Sequence, residues 1–236
     1  MAEGKILREL YLIRHGQSRG NAGLDPADEF DSHDPVLSET GRLQAQALGK
    51  YCAENLPFDF VYSSGLRRAV ETAGAIVSSS EGINGLFILP DLCETGVGID
   101  YDGLTIDDLK LLCPESAVAE GYENAEKLII NDECPGEKEE RYFERAKRVL
   151  DYVAQRYNDG EKIALTAHAA FLTYIIFYII GYRDKEPNYD FSLTNTGITK
   201  ITFYAPGTHE FGDTVFEYIN STPHLQKQFC EHEKEK

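Results

Sequence analysis

The chain alternates between two hydrophobic patterns. Short apolar or β-branched runs stop abruptly at polar or turn-forming residues at Ile6 to Ile13, Asp59 to Ser64, Leu86 to Leu89, Lys162 to Ala167 and Gly197 to Tyr204. Runs of this length and closure predict strands, and Phe211 to Tyr218 predicts a further one on an edge. Between them the apolar positions recur at helical spacing. Leu43, Ala47, Leu48 and Tyr51 mark a helix that opens near Ser38, a plausible cap. Gly65 to Ala73 reads as a second helix, and Ile106 to Leu112 as a third that Thr105 and Asp108 start like a capping box. A long amphipathic helix from about Glu139 to Tyr157 carries Phe143, Ala146, Val149, Leu150 and Val153 on one stripe, and an apolar helix begins at Ala170. This alternation predicts an α/β fold, a three-layer sandwich whose central sheet is mostly parallel.

Two acidic stretches interrupt the pattern. Asn21 to Pro35 is a polar loop with Asp25, Asp28, Glu29, Asp31 and Asp34, and Pro114 to Glu140 reads as an irregular, cap-like excursion over one face. No repeat or low-complexity linker divides the chain, so residues 1–236 are expected to form a single domain. The tail from His224 to Lys236 is charged and expected to be a short helix or frayed.

Charge and cysteine usage narrow the function classes. Forty acidic residues against 23 basic ones give a net charge of −17, which repels polyanions and argues against a nucleic-acid or anionic-membrane surface. A local cluster of Arg and His can still bind a small phosphorylated ligand inside a cleft. The five cysteines form no Cys-x-x-Cys pair, which predicts reduced thiols in a cytoplasmic enzyme rather than a zinc site or disulfide framework. The N-terminus lacks the regions of a signal peptide, and the longest apolar run, Phe171 to Ile180, is too short to span a bilayer. No exposed apolar stripe stands out from the core-facing ones to mark an oligomer interface.

The first, second and fourth strands each end in groups suited to phosphate. They supply Arg14 with His15, then Ser63-Ser64 leading to Arg68, then His168. In a parallel sheet these carboxyl ends share one edge, where open α/β sheets place their ligands. Two guanidiniums and two imidazoles there call for an anion, and Arg is the preferred bidentate partner of phosphate oxygens.

At these residues the chain resembles the histidine phosphatase superfamily, the phosphoglycerate-mutase-like proteins of the Arg-His-Gly branch. The resemblance rests on Arg14-His15-Gly16-Gln17-Ser18 with Asn21, Leu37-Ser38-Glu39-Thr40-Gly41, Tyr62-Ser63-Ser64-Gly65-Leu66-Arg67-Arg68-Ala69 and Leu92-Cys93-Glu94. Tyr101-Asp102-Gly103-Leu104-Thr105, Ala167-His168 and Asn195-Thr196-Gly197-Ile198-Thr199 follow in order. It implies a phosphoglycerate-mutase-like fold with His15 as the nucleophile that carries the phosphoryl group. Arg14, Arg68 and His168 would surround the phosphoryl oxygens, Asn21 would add a hydrogen bond, and Glu94 would be the proton donor. Three positions depart from the family: Ala169 follows His168 where Gly is frequent, Gly65 replaces a usual Pro, and Glu71 stands where Gln is common. The amide of Ala169 can still meet phosphate if its φ stays negative. Among the other polar residues, Ser18 and Ser64 are expected to shape turns, His33 to be a surface residue or lid contact, and Arg42 and Arg67 to be solvated helix charges, Arg67 lying close enough to reach a substrate.

The expected function is metal-independent hydrolysis of a small phosphomonoester through a phosphohistidine, with no cofactor and a small phosphorylated metabolite as the partner. The alternative is a phosphoglycerate-type mutase. The family's mutases carry a Trp before the motif's Asn and basic residues after the Glu. Here Gly20 precedes Asn21, the chain has no Trp, and Thr95-Gly96-Val97-Gly98 follows Glu94, which favours hydrolysis. A non-catalytic phospho-ligand module is the third reading, and the presence of all four core groups speaks against it.

Overall fold

A computed structural model of the chain describes residues 4–83, 85–97, 101–130, 138–183 and 191–225. Among the described residues, seven strands form one mixed, mostly parallel sheet in the order β4-β3-β2-β5-β1-β6-β7. Their ranges are β1 Ile6–Arg14, β2 Phe60–Ser63, β3 Leu86–Ile88, β4 Ser116–Val118, β5 Glu161–Ala167, β6 Ile198–Tyr204 and β7 Thr214–Ser221. β1 to β5 run parallel, while β6 pairs antiparallel with both β1 and β7. The expected sixth strand is β7, on the edge as predicted.

Side-chain alternation along the central strands divides the core into two layers. Leu10 and Leu12 of β1 and Ile163 and Leu165 of β5 face helices α4 (Lys138–Arg156) and α5 (Ala169–Ile179), packing on Ala146, Val149, Phe171 and Ile175. Tyr11, Ile13 and Ala164 face the other way, onto α1 (Glu39–Asn55), α2 (Arg67–Ser79) and α3 (Ile106–Leu112) through Leu48, Val70, Ile76 and Leu109. The three-layer α/β sandwich read from the sequence is the observed architecture. Among the described residues, no helix is long and apolar enough to cross a membrane.

Several local expectations are met by the caps. Ser38 Oγ accepts from the Gly41 amide at 3.0 Å, and Thr105 and Asp108 bond each other's amides at 3.2 Å each. Two expectations change. Leu43 is 46% exposed, because α1 buries Gly41, Gln44, Ala45, Leu48, Gly49 and Cys52 instead. Gly49 explains why: a Cβ there would meet Ala75 O at 2.2 Å, so α1 and α2 approach through backbone, and hydrophobic patterning misses so small a contact residue. The excursion after Pro114 is also not wholly irregular, since Ser116–Val118 adds β4 beside β3. Three residues with no periodicity of their own give no strand signal. Part of that excursion, residues 131–137, and most of the tail, residues 226–236, lie outside the described residues.

Leu165 is fully buried in β5, between β1 and β2. Leu165→Ala should lower stability by about 2–5 kcal/mol, read as a lower urea midpoint at an unchanged m-value.

Candidate active site

Strand register assembles the site. Arg14 lies level with Ala167 and Ser63 with Thr166, so His15, Ser64 and His168 leave three neighbouring strand ends together. The rings of His15 and His168 are 5.1 Å apart. Both imidazoles are buried, His15 at 4% and His168 at 0% exposure. Backbone bonds fix the end of β1: the His15 amide donates to Ala167 O at 2.9 Å, and the Thr196 amide donates to Arg14 O at 3.0 Å. Gly41 is required beneath it, since a Cβ there would meet Gln17 O at 1.9 Å.

The tautomer of His15 follows from its partners. Nδ1 lies 2.6 Å from Gly16 O, and a carbonyl only accepts, so Nδ1 carries the proton. On the opposite side Arg68 Nε donates to His15 Nε2 at 3.2 Å, which requires a lone pair there. Burial, then the guanidiniums of Arg68 and Arg14, hold the His15 imidazole well below its ordinary titration range. Burial and the same cations, with His15 itself, do the same to His168. Nε2 of His168 is 2.9 Å from Ser64 Oγ, while its Nδ1 has no partner among the described residues.

The cations are held from behind. Arg14 Nη1 donates to Leu193 O at 2.5 Å. Arg68 Nη1 reaches Asp34 Oδ1 at 3.4 Å, and Asp34 is fully buried, accepting also from the Arg67 amide and from Tyr101 Oη at 3.0 Å. Thr72 ties the same turn of α2 to the strand end, donating to Arg68 O at 2.7 Å and accepting from the Gly16 amide at 2.9 Å.

The remaining expected residues sit around this centre. Glu94 follows a 3₁₀ turn at Pro90–Leu92, and its Oε1 accepts from the Thr95 and Phe171 amides at 2.9 and 3.0 Å. It therefore caps the start of α5, the helix that Ala169 opens with a negative φ, so the departure at Ala169 keeps its amide usable. Asn21 is exposed, and its Oδ1 accepts from the Ser18 amide at 3.3 Å and from Asn195 Nδ2 at 3.4 Å. Gly65, the other departure, lies under the excursion: a Cβ would meet Leu128 O at 2.1 Å. His33 is exposed and stacks on Tyr101 at 5.8 Å. Arg42 is largely exposed, as expected, beside Glu71 at 3.6 Å.

Arg67 is not a solvated charge. It is 6% exposed, with both Nη atoms on Asp28 at 2.8 and 3.1 Å, Nη2 also on Asp31 at 3.0 Å and Nε on Asp34 O at 2.8 Å. The acidic loop thus turns Asp31 and Asp34 inward onto arginines, and the helix-surface reading failed because it could not see a loop folding over α2. Asp34 and Asn195 are the site residues that sequence reasoning left without a role. Asn195 Nδ2 donates to His15 O at 2.9 Å, and its signal was the Asn-Thr-Gly motif already singled out.

Both imidazoles are less readily protonated folded than unfolded, so below the unfolded value near 6.5 the unfolded chain binds more protons. Stability should therefore fall as pH drops from about 6.5 towards 5, by up to about 1.4 kcal/mol per pH unit for each histidine. His224, pushed down to about 4 by burial, acts in the same direction. Unfolding midpoints measured across this window should show the decline, and His168→Gln should reduce its slope.

Comparison with known proteins gives the family of the chain. A 2,3-bisphosphoglycerate-dependent phosphoglycerate mutase of Methylorubrum extorquens is 30% identical over 186 residues, 75% of this chain and 82% of its own. The fructose-2,6-bisphosphatase TIGAR of Xenopus tropicalis is 30% identical over 62% of this chain and 50% of its own. The chain spans between about half and two thirds of the length of the first curated relatives it matches. Among solved structures, a phosphoserine phosphatase mutant from Entamoeba histolytica in complex with phosphoserine superposes with a TM-score of 0.58 at 25% identity, covering 93% of this chain and 100% of that one. The sequence model of the histidine phosphatase superfamily (branch 1) matches residues 10–210, and the chain belongs to that family.

Proposed function

We propose that the protein hydrolyses small phosphomonoesters without a metal ion, through a phosphohistidine on His15. The observation that carries this reading is the pair of contacts that sets the tautomer of His15. Nδ1–H is committed to Gly16 O, which leaves the Nε2 lone pair among Arg14, Arg68 and His168. In the first step Nε2 forms a bond to phosphorus and the ester P–O bond breaks, its electron pair passing to the leaving oxygen. The Glu94 carboxyl gives that oxygen a proton. In the second step the Glu94 carboxylate takes a proton from water, the water oxygen bonds to phosphorus, and the N–P bond returns its pair to Nε2.

Charge developing on the phosphoryl oxygens is met by fixed donors. Arg14 and Arg68 supply the cations, and Ser64 donating to Nε2 of His168 would leave Nδ1–H of that ring for the phosphoryl group. Asn21 and the Ala169 amide complete the cradle. The whole chain is read as one such domain, with the segment at about 114–140 as a cap whose Leu128 lies against Gly65.

The second reading is a phosphoglycerate-type mutase, favoured by the bacterial mutase among the relatives. Thr95, Gly96 and Val97, next to Glu94, supply no cation for a substrate carboxylate, which supports hydrolysis.

Purified protein should release phosphate from 4-nitrophenyl phosphate in excess EDTA, and His15→Ala should abolish the activity. Arg68→Ala should lower kcat by about 10²–10³-fold. Faster interconversion of 2- and 3-phosphoglycerate than phosphate release would favour the mutase, and full activity of His15→Ala would overturn the mechanism.

A further inference from the structure

Arg145 lies on the buried stripe of α4, at 2% exposure, close behind the active site. A guanidinium so deeply buried is costly unless its donors are met. Its partners are carbonyls and rings: Nη1 donates to Cys93 O at 2.7 Å and Nη2 to Glu94 O at 3.4 Å. Its guanidinium carbon lies 4.0 Å from the centre of the Phe171 ring and 5.5 Å from that of Tyr142.

These contacts close a ring around one residue. Cys93 closes the short 3₁₀ turn, its amide donating to Pro90 O at 3.0 Å, and Glu94 lies beyond it, outside any described ladder or helix that would fix its backbone. Arg145 fixes it with a planar fork, one arm to each of two consecutive carbonyls. The guanidinium also packs on the ring of Phe171, the residue whose amide holds Glu94 Oε1. Glu94 is thus gripped through its backbone and, via Phe171, through its carboxylate.

We propose that Arg145 is a positioning residue for proton transfer: it aims Glu94 at the leaving-group oxygen without touching substrate. This deepens the phosphohistidine reading and rests on it. A misplacement of the order of 1 Å in a catalytic group suffices to cost about 10²-fold. The loss must fall on the step that Glu94 serves. When the P–O bond breaks, a basic leaving oxygen needs its proton, whereas a 4-nitrophenolate leaves as the anion. Lysine keeps the charge but, as a point donor, cannot reproduce the fork.

The test compares kcat/KM for phenyl phosphate and 4-nitrophenyl phosphate, two esters of similar shape, in the wild type and in Glu94→Gln, Arg145→Gln, Arg145→Lys and Glu94→Gln/Arg145→Gln. Each single variant should lose about 10²-fold on phenyl phosphate and less than tenfold on 4-nitrophenyl phosphate. The double variant should be no worse than Glu94→Gln alone. Turnover of the nitrophenyl ester itself reports that a variant is folded, and Arg145→Lys serves if Arg145→Gln does not fold. Equal losses on the two esters in an Arg145 variant that melts like the wild type, or additive losses in the double variant, overturn the role of Arg145 while leaving the phosphatase intact. A wild type inactive on both esters overturns the phosphatase reading and the positioning role together.

Discussion

Keeping an imidazole neutral beside two guanidiniums is the constraint on which the site depends. His15 is useful as a nucleophile only with a lone pair, and the positive field that would bind a phosphoryl group also opposes protonation of the ring. Burial contributes most to keeping the proposed nucleophile neutral, and the cations that would attract the ligand add to it. The Gly16 carbonyl then chooses the nitrogen, and the ladder between β1 and β5 sets the ring 5.1 Å from that of His168.

The same arrangement is how a chain with a net charge of −17 would hold the proposed anion site. The acidic loop spends Asp31 and Asp34 inside the structure, against Arg19, Arg67 and Arg68. Arg68 is shared between Asp34 and His15, so the carboxylate orients the guanidinium and keeps its Nε aimed at the ring. Burial disfavours the ionised form of Asp34, and the cations and N–H donors around it work in the opposite direction. Glu94 has a parallel arrangement on the far side, where the start of α5 holds its carboxylate and Arg145 its backbone.

Much of this was legible in the sequence, for a physical reason. Continuous apolar strands closed by polar residues identify a parallel sheet, and a parallel sheet brings its carboxyl ends to one edge, so Arg14, His15, Arg68 and His168 could be placed together before any coordinates. Elements without such a period stayed hidden. β4 is three residues long, and the α1–α2 contact is made by Gly49 rather than by Leu43. Arg67 was read as solvated, which failed because the acidic loop covers it, and Arg145, under the Cys93-Glu94 segment, drew no reading at all. For Arg145 a signal did exist, since it shares the helical stripe of Tyr142, Ala146 and Val149, all buried. A charge on an apolar stripe asks for a partner.

The central claim is that Nε2 of His15 carries the phosphoryl group, and trapping that intermediate tests it most directly. The protein would be mixed with a phosphomonoester, quenched in base within milliseconds and digested, with the phosphorylated peptide located by mass spectrometry and its linkage assigned by 31P NMR. The account predicts an acid-labile phosphate on Nε2 of His15 that appears before free phosphate and decays as hydrolysis proceeds. Phosphate on Nδ1, phosphate on His168, or steady ester hydrolysis with no phosphorylated histidine at any time would contradict it.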